Sequence, residues 1–449
     1  MRPEVVARRY ALLTALRWFP IGLVAPMLVL LMQARGLDLA QVGRLVALYS
    51  LSAVLLELPT GGLADVIGRR PVIAGASLVT AAGSVALALA PSAGPMALAI
   101  LALGAGRALS SGPLDAWYVD TVRAEDPQAE IRTGIGRAQA AESVALAVGA
   151  AISGLLPALG ERAGLVSGEG SESLLIPLSV PYLACALMLV VHAIAVAALV
   201  TEAPHHEQHL GHREAGLPRA TVAGTVRATV RLVTGTADLR RLVGYSIVAG
   251  VALASVELVS PAAFGALLGG PEQAGPAYGL LVGLGFGAAA LGALLAPRAV
   301  RRLGAPHRAA VLIAAAAAPV VLLVAVPQLV VAAFGFLAFY LVFALNGPIR
   351  AGLLHDRIPA TQRSTVLSAE SLALQLGGGV ASVGVGALVA ATTNSAGYVV
   401  VAVALLFGAL LLRGVSADPG LAGELGSAEA PEGCRAAPFS PAPPGPAHP

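Results

Sequence analysis

The sequence predicts an all-helical membrane protein with twelve spans in two bundles of six. Three observations carry this. Of 449 residues, 57% are hydrophobic and 12% charged, whereas a soluble domain is roughly 25% charged. The apolar residues fall in runs close to the ~20 residues that cross a bilayer. Short segments of the first half also recur, in order, in the second.

Cut at turn and charge signals, the first six spans lie near Tyr10–Met32, Leu45–Ala64, Pro71–Ala90, Pro95–Val119, Ala138–Leu159 and Leu174–Val200. The second six lie near Leu242–Leu268, Pro276–Ala296, Ala309–Val326, Leu329–Leu353, Val366–Ala390 and Ala396–Leu412. The first run follows Arg8 and Arg9, as a secretion signal would. It is too long for one and no small-residue cleavage site follows, so it reads as a span.

All 28 basic residues are Arg. With the N-terminus inside, the outer segments hold Arg35, Arg44 and Arg162, while Arg17, Arg107 and Arg350 fall within spans. Every other Arg lies on the inner side. Positive charge marks cytoplasmic loops, so the chain is expected in the cell membrane, multi-pass, with both termini cytoplasmic. A net charge of +3 gives no argument for nucleic acid. Cys185 and Cys434 are too few for a disulfide framework or a cysteine metal site.

The expected organisation is a six-helix bundle over 1–200, a cytoplasmic linker over 201–238, a second bundle over 239–413 and a disordered cytoplasmic tail over 414–449. The tail is rich in Pro, Gly, Ala and Ser. Ala141-Glu142-Ser143 in span 5 returns as Ala369-Glu370-Ser371 in span 11, and Gly149 and Gly377 stand at matching distances beyond. Gly112-Pro113-Leu114-Asp115-Ala116 in span 4 returns as Gly347-Pro348-Ile349-Arg350-Ala351 in span 10. These echoes indicate an internal parallel duplication.

Between spans 2 and 3 stands Gly61-Gly62-Leu63-Ala64-Asp65-Val66-Ile67-Gly68-Arg69-Arg70. Gly61 allows a close helix approach, Gly68 a tight turn, and Asp65 and Arg69 sit at i,i+4. This segment resembles the signature loop of the major facilitator superfamily (MFS). Glu57-Leu58-Pro59-Thr60-Gly61 and Ser111-Gly112-Pro113-Leu114-Asp115-Ala116 are similar to a bacterial branch associated with drug efflux. The resemblance runs from Tyr10 to Leu412. It implies the MFS fold, secondary transport by alternating access, and an inner gate formed by Gly61, Asp65, Gly68, Arg69 and Arg70 with Asp120 at the end of span 4. By the same resemblance, that gate holds the outward-facing state and breaks when the inside opens.

Ionisable residues inside a membrane are costly and mark cavities or partners. At about 1.5 Å per residue, Arg17, Glu57, Asp115 and Glu142 lie at similar depth in the first half. They read either as proton-handling acids around one cation or as a structural charge cluster. Arg107 lies near the midplane and resembles the span 4 Arg of many proton antiporters. In the second half Glu257, Asn346, Arg350, Glu370 and Gln375 are the polar candidates, and Glu257 has no evident partner in the sequence.

His192 stands alone in span 6. His205, His206, His209 and His212 lie among acids in the linker and read as a solvated segment rather than a metal site. The glycines Gly283, Gly285, Gly287 and Gly377-Gly378-Gly379 lack the strand and Lys of a phosphate loop and read as helix-packing positions. No cofactor, metal, catalytic residue or nucleic acid is expected. The expected partners are a small-molecule substrate, protons as coupling ion and the bilayer, and the chain is expected to be a monomer. The leading reading is export of a small, partly apolar compound. Uptake of a nutrient or metabolite, a transport-dead sensor and a membrane enzyme are the competing ones.

Overall fold

The computed structural model describes residues 3–60, 63–126, 128–166, 173–201, 234–358 and 363–416. Most of the predicted linker and tail, with the four linker histidines, falls outside these residues, as does Gly61. Among the described residues, 11 helices are long and apolar enough to cross a membrane, or 12 if one bent pair is a single span.

The first half comprises α1 (Pro3–Ala34), α2 (Leu39–Thr60), α3 (Arg69–Leu89), α4 (Ala93–Glu125), α5 (Arg132–Ser153) and α6 (Pro177–Leu199). The second comprises α7 (Ala237–Leu268), α8 (Pro271–Leu303), α9 (Pro306–Ala325), α10 (Leu329–His355), α11 (Arg363–Ala391) and α12 (Asn394–Arg413). Two predicted spans are not continuous. α5 bends by 45° into a short helix, Leu156–Arg162, because Gly154 gives little helix support and Pro157 lacks a backbone donor. α4 is interrupted at Ser111–Gly112, where Gly112 has φ +91° and Pro113 opens a new helical segment. Both breaks fall inside stretches that the sequence reads as single spans.

The duplication is visible in packing. In the first half, Gly22 of α1 and Gly149 of α5 meet backbone to backbone, and a methyl group on Gly22 would lie 2.6 Å from the Leu146 carbonyl oxygen. In the second, Gly250 of α7 faces the Leu374 carbonyl and Gly377 of α11 faces the Ile247 carbonyl. Both crossings use the same relative positions. Small residues at a crossing let helices approach closely where lipid offers no hydrophobic drive for association.

The two halves touch through α2 with α11 and α5 with α8. A side chain on Gly43 would collide with the Ser382 carbonyl. One on Gly154 would lie 2.6 Å from Pro276, and one on Gly283 would lie 2.7 Å from the Ala147 oxygen. A turn further along α8, Gly287 has nothing within 4 Å. The glycine run of α8 therefore serves close packing at one end only. At the end remote from the chain termini a single core joins both halves, with Met27 and Leu30 beside Phe264, Tyr278 and Phe336. At the Arg-rich end, here the basic end, there are two separate cores. One surrounds Tyr10, Trp117 and Tyr118, the other Leu242, Tyr245 and Leu412. Among the described residues, the halves thus share one core at the far end and have separate cores at the basic end. Leu98, Leu294 and Val380 stand more than 70% exposed on the outer helix faces, the surface that acyl chains cover.

Candidate functional site

α1 places Tyr10 and Arg17 two turns apart on one face. The break in α4 explains what they bind. A helix end leaves carbonyls without partners, and the next helix start leaves N–H groups without partners. Arg17 donates to the Ser110 carbonyl at 2.9 Å and to its hydroxyl at 2.6 Å, satisfying the negative end of the first segment. Its guanidinium also lies 5.4 Å from the centre of the Trp18 ring. Asp115 falls in the first turn of the second segment, where the helix dipole favours an anion. Tyr10, stacked on Tyr118 with ring centres 4.5 Å apart, donates its hydroxyl to Asp115 Oδ1 at 2.6 Å.

Glu57 of α2 accepts from the Ser111 hydroxyl at 3.0 Å, and Gln375 of α11 donates to it across the halves at 3.5 Å. Glu142 of α5 lies within the electrostatic field of Arg17 and Asp115. Arg17, Glu57, Arg107, Asp115, Glu142 and Gln375 line one cavity of about 340 Å³ towards the basic end. Sequence depth groups Arg17, Glu57, Asp115 and Glu142; Arg107, which the sequence places near the midplane, and Gln375 from the other half join them here.

The predicted second-half residues divide. Arg350 pairs with Glu370 at 2.6 Å, donates to the Ser246 hydroxyl and lies 5.4 Å from the Tyr245 ring centre. Buried Asn346 donates to the Tyr245 hydroxyl at 2.8 Å and to the Ala310 carbonyl at 3.3 Å. Asn346, Arg350 and Glu370 form a packed cluster and line neither this cavity nor the next.

Glu257 lies elsewhere. It lines a central cavity of about 330 Å³ with Arg107, Trp18, Tyr182, Tyr278, Phe286 and Tyr340. Arg17, Trp18, Arg107 and Ser110 border both cavities, so the two adjoin. The aromatic lining escaped the sequence reading because Tyr and Phe in an apolar run look like core. Tyr278 and Tyr340 flank the glycine run of α8 and the Asn346 segment of α10, and their hydroxyls within spans were the available signal. His192 bonds the Ser77 hydroxyl at 2.8 Å through Nδ1 and is buried between α6 and α3.

At the predicted gate, Gly68 with φ +97° precedes α3. Arg69 forms an ion pair of 2.5 Å with Asp120, whose side chain is 65% exposed. Both residues belong to the first half, and the pair is formed although the halves have separate cores at this end. Arg70 is exposed. The Asp65 side chain lies outside the described residues.

The fold resembles solved transporters. A variant of the nucleoside transporter NupG superposes with TM-score 0.72 at 13% identity, covering 91% of this chain and 99% of that one. A bacterial homolog of the human lysosomal transporter Spinster, inward-facing and occupied, gives 0.66 at 16%, covering 94% and 97%. A D-xylose–proton symporter gives 0.67 at 16%, covering 92% and 98%. At these identities the likeness concerns the fold. No curated protein matches the sequence. The sequence model of the Major Facilitator Superfamily matches residues 10–382. With a duplicated six-helix unit, adjoining cavities between the halves and this match, the chain belongs to the Major Facilitator Superfamily and is a multi-pass membrane transporter.

Proposed function

We propose that the protein exports a small, partly apolar molecule across the cell membrane, coupled to protons. The observation that carries this is the adjoining pair of cavities: an aromatic one at the centre, and beside it an acid-lined one towards the basic end. Glu57, Asp115 and Glu142 line it together with Arg17 and Arg107. Three acids beside two cations leave room for a carboxylate to take up and release a proton. Substrate occupies the central cavity, and the halves rock about the far-end glycine contacts.

In this reading the basic end faces the cytoplasm, as its Arg excess suggests, and both termini lie there. The segment Gly61, Asp65, Gly68, Arg69 and Arg70 with Asp120 is the inner gate. The Arg69–Asp120 pair braces the loop against α4 so that it meets the second half when this end closes. The molecule works as a monomer in the bilayer.

Uptake is the second reading, favoured by the fold likeness to a nucleoside transporter and a D-xylose–proton symporter. The test is accumulation of a fluorescent cation panel in energised inverted vesicles, with and without a protonophore. Accumulation that the protonophore abolishes, and that Glu142→Gln reduces at least about tenfold, is the expected result. Accumulation indifferent to the protonophore removes proton coupling. Uptake by right-side-out vesicles in place of export reverses the direction.

A further inference from the structure

We infer that the central cavity takes an amphoteric solute, with its anionic group on Arg107, its cationic group on Glu257 and its apolar body against Tyr278, Tyr340 and Phe286. The inference rests on the transporter reading and specifies the chemistry of its substrate.

Arg107 comes from α4 and Glu257 from α7, one from each half, and both line the same cavity. Among the described residues neither side chain has a hydrogen bond or an ion pair. They are not in contact with one another, although Glu257 lies in the field of Arg107. Most other charges within the spans are engaged. Arg17 holds Ser110, Asp115 accepts from Tyr10, Glu57 accepts from Ser111, and Arg350 pairs with Glu370. Glu142 too has no hydrogen bond or ion pair among the described residues, but it lines the neighbouring acidic cavity; in the central chamber the cation and the anion without partners are Arg107 and Glu257.

A solute entering that chamber displaces the water around both charges. Losing hydration without a counter-charge is costly. A neutral solute leaves both uncompensated, and a solute with one charge leaves one. A site built to pair with a polar group discriminates strongly against the analogue that lacks it. A dipolar solute satisfies both, and its cationic end gains further from the tyrosine faces beside Glu257. The cavity volume, about 330 Å³, is at the small end of the ~300–1,000 Å³ range of ligand sites.

The experiment uses the purified full chain in lipid nanodiscs with three probes that share one ring. L-phenylalanine carries both charges, phenethylamine the cation and 3-phenylpropanoate the anion. Equilibrium binding of L-phenylalanine at least about tenfold tighter than either analogue is expected. R107Q should erase the advantage over phenethylamine by weakening L-phenylalanine, with phenethylamine bound at least as tightly as by the parent chain. E257Q should do the same for 3-phenylpropanoate. Equal binding of all three probes, binding of none, or a uniform loss in both variants overturns the inference. Binding is read without a gradient. A lost preference therefore sinks the amphoteric assignment and leaves proton-coupled transport standing, while failure of energised vesicles to accumulate L-phenylalanine with the preference intact does the reverse.

Discussion

The Gly-Pro-x-x-Ala segment of α4 has its counterpart in α10, and the two fold differently. In α4, Gly112 takes φ +91° and the helix restarts at Pro113. In α10, Gly347 and Pro348 lie inside an unbroken helix. The charge that follows obeys the backbone. Asp115 sits at a helix start, which carries about half a positive charge, and Arg17 takes the carbonyl end left on the other side. Arg350 sits in a helix interior with no such help and pairs instead with Glu370. The first copy thus holds acids open to a cavity, and the second locks its charges together. A duplicated scaffold has separated site from support by the placement of one backbone break.

Five single substitutions and one double variant test this contrast, from the largest effect down. R350Q leaves Glu370 half-buried without its ion pair and should cost about 3 kcal/mol, read as a lowered thermal midpoint in detergent. Replacing both residues by Leu should return most of that loss, since a buried pair is often no better than packed apolar groups. A double variant as unstable as R350Q would mean the cluster does more than fill space. G112A places a side chain at positive φ and should cost about 1–2 kcal/mol, whereas G347A should stabilise by about 0.5–1 kcal/mol as an ordinary helix substitution. Equal signs for the two would break the comparison. Y10F removes the hydroxyl from Asp115 and keeps the stack on Tyr118, for a loss of about 1 kcal/mol by the same melting measurement. D120N removes an ion pair at an exposed carboxylate and should change stability by less than about 1 kcal/mol; a larger loss would make the Arg69–Asp120 pair a principal brace of the first half.

The architecture was legible because hydropathy, Arg distribution and the two echoed segments each report on spans, and all three agree. The α4 break was present in the letters Gly112-Pro113, but a hydropathy window does not register φ. Arg17, Glu57, Asp115 and Glu142 were grouped by depth alone, which succeeds because helices of one bundle run nearly parallel. The Arg350–Glu370 pair was not legible: a side chain's partner depends on helix rotation, which depth does not supply. Glu257 lacked a partner in the sequence for a related reason. Arg107, the charge nearest in effect, belongs to the other half and meets it only across a cavity.

The far-end seam between the halves, with Gly43 on Ser382 and Gly154 on Pro276, is backbone against backbone. Around these crossings lies the side-chain core that both halves share, with Met27 and Leu30 beside Phe264 and Phe336. In the proposed rocking, polar contacts at the opposite end, such as that of Glu57 with Gln375, add to the balance between the two tilts. A change of about 1.4 kcal/mol there shifts the ratio of the two populations tenfold. In the proposed mechanism, one substitution at that contact is expected to shift the resting state of the molecule.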